Sequence, residues 1–206
     1  QVGNTQYQGD HTFAAEVTDR DPRLAATIRT SGLSLTGIDD VWAISGYFGN
    51  RFVNPNLIDK PGGSSYTCIT DAPVMKLNEV LMNYIEAAAE LADMGAYTLT
   101  QADFDKTINV IRDRPSTQMP HLTLAGSNLQ VNGVTINDPE RDADVTPIIW
   151  EIRRERRTEL VYEGIRFNDL RRWSKLHYAD MVRNPKANRG AYRSEEHTSE
   201  LQSPLI

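Results

Sequence analysis

The sequence predicts a mainly α-helical fold: paired amphipathic helices forming a scaffold, decorated by long irregular segments and minor β-hairpins. Three observations predict it. Apolar residues recur at steps of three and four in separate stretches between Val74 and Leu176, the spacing that lines one face of a helix. The turn-formers Gly, Asn, Asp, Ser and Thr crowd into residues 1–72 and 115–145. The best strand signal is short: Leu129-Gln-Val131 and Val134-Thr-Ile136 alternate around Asn132-Gly133, the pattern of a hairpin closed by a type I′ turn.

At 206 residues the chain is long enough for a real core. A net charge of −6 argues against a dedicated nucleic-acid binder, which needs a basic surface. No apolar run approaches the ~20 residues that cross a bilayer. The single cysteine, Cys68, excludes an intramolecular disulfide and a multi-cysteine zinc site, and reads as a small buried apolar residue. The chain opens Gln1-Val2-Gly3-Asn4, without an initiator Met or a leader pattern, so any targeting signal is expected upstream. At the other end, residues 193–204 resemble the in-frame translation of a common short-read sequencing adapter. Residues 193–206 are therefore expected to be foreign, leaving 1–192 as native.

Residues 1–72 read as irregular. Asp21-Pro22 favours a turn, 24–29 could form a short strand, 42–50 reads as extended pieces separated by glycines, and 61–65 is a loop. A stretch this long and irregular is expected to pack as coil on something more regular. Over 73–114 the pattern becomes a helical hairpin. Its first helix carries Val74, Leu77, Leu81, Tyr84, Ile85, Ala88 and Leu91 on one face, with Thr70 or Asp71 as cap and Gly95 as stop. Its second begins at the capping-box-like Thr100-Gln-Ala-Asp103, buries Phe104, Ile108 and Ile111, and ends at Pro115. Such a hairpin is the unit of tetratricopeptide-type repeats, although the repeat's own signature is absent and one hairpin cannot bury both faces.

Residues 115–145 form a loop containing the hairpin. Within it Asp138, Glu140, Asp142 and Asp144 alternate as in a calcium loop, but the Gly at the sixth place and the Glu at the twelfth are missing, so an exposed acidic loop is the better reading. Thr146-Pro147 then opens a helix through Ile148, Ile149, Ile152, Arg156 and Leu160. Gly164 bends the chain, and Phe167, Leu170, Trp173 and Leu176 continue at helical spacing to residue 178. Trp150 and Trp173 read as core. His11, His121 and His177 show no metal-ligand spacing, and His197 falls in the tail.

The informative stretch is 155–173. Glu155, Glu159 and Glu163 stand four apart and share a helical face, where like charges repel unless each has a cation. Arg156 and Arg166 are the candidate partners, since guanidinium forks tolerate partial burial. The expectation is an ion-pair lattice that fixes the angle between helix, Gly164 turn and second helix. A solvated charge-laced helix is the simpler alternative. A nucleic-acid site would need unpaired arginines, and an acid–base enzyme would need carboxyls driven to different pKa values, whereas neighbouring arginines hold both ionised.

This stretch resembles the signature of SusD/RagB-type outer-membrane glycan-binding lipoproteins, E-R-R-x-E-L-x-x-E-G-x-R-x-x-D-L-x-R-W, intact from Glu155 through Asp169 to Trp173. Further pieces agree in order: Asp21-Pro22-Arg23-Leu24; Gly46-Tyr47 with Arg51-Phe52; and Asp71-Ala-Pro73-Val-Met-Lys76-Leu77, Ile85-Glu86-Ala87 and Ile108-Asn109-Val-Ile-Arg112-Asp-Arg114. Lys76 stands where the family commonly has Arg, and Pro115 where it often has Ala. The resemblance covers about 20–178. It implies a tetratricopeptide-like scaffold of which this chain is the C-terminal portion, surface-exposed at the outer membrane, anchored by an N-terminal lipidated cysteine upstream. It also implies a partner, a SusC-like TonB-dependent transporter, and an oligosaccharide or other nutrient ligand, with no catalysis, cofactor, metal or nucleic acid.

Sugar recognition needs aromatic faces with amide companions. On the irregular segments the candidates are Trp42, Tyr47, Phe48 and Tyr66, with Asn50, Asn54 and Asn56; each could equally be a loop anchor, Tyr47 and Phe48 above all because they lie in the G-Y segment. The rival functions are a peptide-binding adaptor and a glycoside-processing enzyme, the latter needing two carboxylates about 5–9.5 Å apart across a cleft.

Overall fold

A computed structural model describes residues 12–28, 47, 49–51, 56, 69, 71 and 73–184. Trp42, Phe48, Asn54, Tyr66, Cys68, His11, the 61–65 loop and the expected foreign tail lie outside the described residues. Seven α-helices are described, α1 Phe13–Val17, α2 Arg23–Thr27, α3 Leu77–Asp93, α4 Gln101–Asp105, α5 Ile108–Arg112, α6 Pro147–Glu159 and α7 Arg166–Arg172, followed by a short 3-10 helix, Leu176–Ala179. A sheet of β1 Thr123–Ala125, β2 Asn128–Val131 and β3 Val134–Thr135, in that antiparallel order, interrupts them.

The short strand expected over 24–29 is instead α2. The Asp21 carboxylate accepts from the Arg23 amide at 3.0 Å and Pro22 stands at φ −56°, so the turn launches a helix rather than a strand. Among the described residues of that stretch, only Ile28 stays extended, bridging to Gly49.

Helix α3 starts at Leu77 with Lys76 at its N-cap, five residues after Asp71 and six after Thr70, the expected caps; Val74 is fully exposed before it. Its C-terminus is the one expected: Gly95 has φ +73°, with the Ala96 amide bonded to the Leu91 carbonyl (2.8 Å) and the Gly95 amide to that of Ala92 (3.0 Å), a Schellman motif. The buried face is rotated from the expected one. Met82, Ile85 and Ala89 enter the core, whereas Leu77, Tyr84 and Leu91 are exposed. Two apolar stripes run side by side on this helix. The one that packs on α6 also carries Asn78, which bonds Glu159 of α6, and Glu86, which bonds Arg172 and Trp173 at the end of α7.

The second helix of the hairpin is broken into α4 and α5 at Thr107, whose hydroxyl donates to the Asp103 carbonyl at 2.5 Å. The Thr100–Asp103 capping box forms, and Phe104, Ile108 and Ile111 are buried. Asn132 and Gly133 take φ +50° and +78°, the two left-handed residues that a type I′ turn requires. Strand β1 was not legible in the sequence; it pairs with β2 through the tight turn at Gly126. In α6 Pro147 occupies the first turn, but the Thr146 hydroxyl makes no capping bond.

Met82, Ile85, Phe104, Ile108, Leu122, Leu129, Ile149 and Ile152 form the centre of one core shared by the hairpin, β2 and α6. At about 1.5–3 kcal/mol per fully buried large apolar side chain, it supplies the cohesion. Trp150 flanks this core. The helical reading of 167–176 holds through α7, which buries Leu170, but Trp173 does not join the core as expected, and Phe167 and Leu176 are exposed.

Candidate functional site

The buried face of α6 carries Glu151, Glu155 and Glu159 at successive turns beside Ile152, and Glu163 follows in the turn beyond. The first three side chains are at most 2% exposed. Carboxylates so deeply buried require compensation, and each has it. Glu155 accepts from Arg112, from Arg23 at 3.0 Å and from Arg154 at 3.4 Å. Glu159 accepts from Arg114 and Asn78, both at 2.7 Å, and from Arg23 at 3.3 Å. Glu163 accepts from Arg51 at 2.5 Å and Lys76 at 2.7 Å. Glu151 holds Arg154 through Nε at 2.7 Å.

Apart from Arg154, which lies on α6 itself, these cations come from four other pieces of the chain that carried the resemblance. Arg23 belongs to the D-P-R-L segment, Arg51 to the R-F segment, Lys76 to the stretch before α3, and Arg112 and Arg114 to the end of α5. Arg23 is also held by Asp21 at 2.6 Å, and Arg112 by the Pro120 carbonyl at 2.6 Å. Segments more than 130 residues apart thus converge on one glutamate ladder.

The electrostatics favour the ionised forms of Glu155 and Glu163. Burial pushes the Glu155 carboxyl up, but the guanidiniums of Arg23, Arg112 and Arg154 overcome it and hold it below the usual range. Glu163 is lowered in the same way, with Lys76 and Arg51 outweighing burial. Asp21 is lowered by Arg23 against its own burial.

A second knot closes the bend. Arg156 donates through Nε to Asp169 of α7 at 2.8 Å and through Nη1 to Asn83 of α3 at 2.7 Å, with Glu86 at 3.6 Å. Glu86 in turn accepts from Arg172 at 2.5 Å and from the Trp173 indole at 2.6 Å. The guanidiniums of Arg153, Arg172 and Arg166 lie 4.7, 4.8 and 5.5 Å from the Trp173 ring centroid. Trp173 therefore sits in a cage of cations.

Two expectations need correction. Arg156 pairs with Asp169 and not with the glutamate ladder, because adjacent helical residues point about 100° apart and so Arg156 faces away from Glu155. Arg166 pairs with none of the glutamates and lies over Trp173. The ladder's true partners on Arg23, Arg51, Lys76, Arg112 and Arg114 stand in separate segments, where spacing along α6 gives no clue to them. Asn83, Glu151 and Arg154 carried no signal beyond helical position.

Gly164 has φ +77° with nothing within 4 Å of where a Cβ would stand. Gly164→Ala should therefore cost about 1 kcal/mol from backbone strain alone, read by urea denaturation.

The ligand candidates are placed as follows. Tyr47, half-buried, donates its hydroxyl to Glu16 of α1 at 2.6 Å. Asn50 donates to the Ala25 carbonyl of α2 at 3.0 Å. Both thus hold the irregular segment to α1 and α2, while Asn56 is exposed. The acidic loop is partly tied down: Asp142 and Asp144 hold Lys175 at 2.6 and 2.8 Å, and Asp138 accepts from the Trp150 indole at 2.8 Å. Among the described residues no group of three His, Cys, Asp or Glu side chains could hold a metal, and no helix is long and apolar enough to cross a membrane.

The arrangement can fix geometry. A family model described as the SusD family matches residues 2–204. No curated protein and no solved structure matches the chain.

Proposed function

The chain belongs to the SusD family, and we propose on that premise that it is part of a non-catalytic glycan-binding protein at the bacterial outer-membrane surface. In this reading it is lipid-anchored and delivers oligosaccharides to a SusC-like TonB-dependent transporter. The observation that carries the reading is the family match over nearly the whole chain. The ladder supports it physically: a bracket locked by buried ion pairs presents loop residues in one geometry, which suits capture and hand-over. It also speaks against acid–base chemistry. A general acid needs a raised carboxyl pKa, and every carboxyl with a clear shift among the described residues is shifted down.

The ligand surface is proposed to lie on the irregular segments, with Trp42 and Tyr66 as aromatic platforms. A glycan array should identify an oligosaccharide ligand. Trp42→Ala or Tyr66→Ala should then weaken its binding roughly tenfold, the ~1.4 kcal/mol one stacking face contributes, at unchanged melting temperature. Unaltered affinity in both variants would remove these residues from the site. Binding of peptides with no glycan bound would favour an adaptor, and release of reducing sugar would favour an enzyme.

A further inference from the structure

On the side of α6 away from the ladder, a cleft of about 80 Å³ is bounded by Trp150, Trp173, Tyr178, Arg157 and Arg166. The other cations on its wall are neutralised. Arg153 pairs with Glu90 at 3.1 Å, Arg154 with Glu151 and Glu155, and Lys175 with Asp142 and Asp144. Arg157 and Arg166 differ. Neither makes a hydrogen bond or ion pair with any described residue; Arg166 lies over the face of Trp173 and is attracted by Asp169 and Tyr178 without bonding to either. The one carboxylate on the wall, Asp138, already accepts from the Trp150 indole and the Glu140 amide, and it attracts Arg157 without bonding to it. Arg153 adds an Nε that is buried without a hydrogen-bond partner.

Leaving guanidiniums together unpaired is costly. Burial and the charge of Arg154 depress Arg157 by more than Asp138 raises it, and burial and the charge of Arg157 depress Arg166 by more than Asp169 and Tyr178 raise it. A guanidinium cannot escape by losing its proton at neutral pH. What relieves such a pair is an incoming oxyanion that accepts planar two-pronged bonds. The cleft is the size of one such group. A larger cleft of about 460 Å³ beside α2 is lined in part by the same residues, Asp138, Arg154 and Arg157. Arg157 therefore stands at the junction, where a charged substituent could enter the small cleft while the body of its molecule occupies the larger one. The other residues of the larger cleft are mostly polar, with Leu24 and Val161 its aliphatic side chains, a lining suited to a hydroxylated ligand rather than to the apolar anchors of a peptide.

We propose that Arg157 and Arg166 form an oxyanion subsite for the carboxylate or sulfate ester of an acidic sugar, an inference that rests on the glycan-binding reading and specifies its substrate class. The chemistry is shared by uronates and sulfated sugars, and the probes separate them.

The test is calorimetric titration of the full chain with trigalacturonate, a sulfated trisaccharide, a neutral galactotriose and inorganic sulfate. Arg157→Gln and Arg166→Gln should each weaken the acidic trisaccharide that binds by about tenfold or more, the loss expected for a hydrogen bond to a charged group. The neutral trisaccharide should be unaffected. Arg171→Gln, an exposed charge change on the same helix, should leave both unchanged and so controls for net charge. Sulfate should raise the melting temperature of the parent chain but not of the double variant. Acidic-sugar affinity that is equal in the parent and both glutamine variants would overturn the subsite. Tighter binding of an acidic peptide than of either acidic sugar would overturn it in favour of a protein ligand. Neutral glycans binding without any arginine-dependent acidic binding would sink this inference alone, whereas no saccharide binding at all would sink the glycan reading with it.

Discussion

Glu155→Ala should lower the stability of the chain by about 3–5 kcal/mol, the range seen when one partner of a buried ion pair is removed. The Glu155 side chain is 1% exposed and faces three guanidiniums. Removing it leaves Arg112, itself buried, with only the Pro120 carbonyl and a Glu151 carboxylate 3.9 Å away. Chemical denaturation with an unchanged slope would measure the loss, and for a chain of this size the melting point should fall by roughly 10 °C. A loss below about 1 kcal/mol, within the range of a surface pair, would show that the ladder is not under load. The same carboxylate predicts the acid limb. Its folded pKa, like that of Glu163, lies below the ordinary glutamate value of 4.5. The stability both contribute is therefore complete well above pH 4.5 and is lost as pH falls from there through the folded pKa. Glu155→Gln, which cannot titrate, should flatten that acid limb while leaving the neutral side of the profile level.

Replacing the pair with Arg112→Met and Glu155→Leu together should be far milder than either charge removal alone, because no charge is then left buried without a partner. That contrast explains what the ladder is for. Buried ion pairs contribute little net stability but penalise every arrangement in which a partner is out of place. Here the partners come from four distant segments, so the penalty falls on misplacement of any of them.

The same fact explains which parts could be read from the sequence. Local signals were legible: the Asn132-Gly133 hairpin, the Gly95 stop, the Thr100 capping box and Pro147 all depend on residues within four positions of one another. The glutamates' shared face followed from helical spacing. Their partners did not, because nothing in the spacing of α6 says that Arg23 will arrive from 132 residues away. The choice between two apolar stripes on α3 was decided by Asn78 and Glu86, polar residues whose bonds form only in the folded state. The 24–29 error had the opposite cause. The Asp21 carboxylate bonding the Arg23 amide set the backbone there, a bond the strand reading did not take into account. Trp173 was misread because an aromatic at helical spacing normally means core, while here three guanidiniums surround it.

Arg156→Ala should cost about 3 kcal/mol and, unlike the loss of Glu155, should loosen the bend itself. Arg156 is the side chain of α6 that grips α7 through Asp169 and α3 through Asn83 at once. Without it Asp169, 4% exposed, keeps only Arg172, a side chain 44% exposed and already shared with Glu86. Arg156→Lys should recover little of the loss. An ammonium is a point donor on a flexible stem and cannot reproduce a planar fork whose Nε and Nη1 point at different helices. Two readouts separate this from general destabilisation. The melting point should fall by several degrees in both variants. Amide exchange should accelerate in α7 more than in α4 or α5, because those helices hold to the core through Phe104 and Ile108. An unchanged melting point, or exchange that rises evenly throughout the chain, would show that the angle between α6 and α7 is set by Gly164 and the packing of Leu170, with the Arg156 fork merely following it.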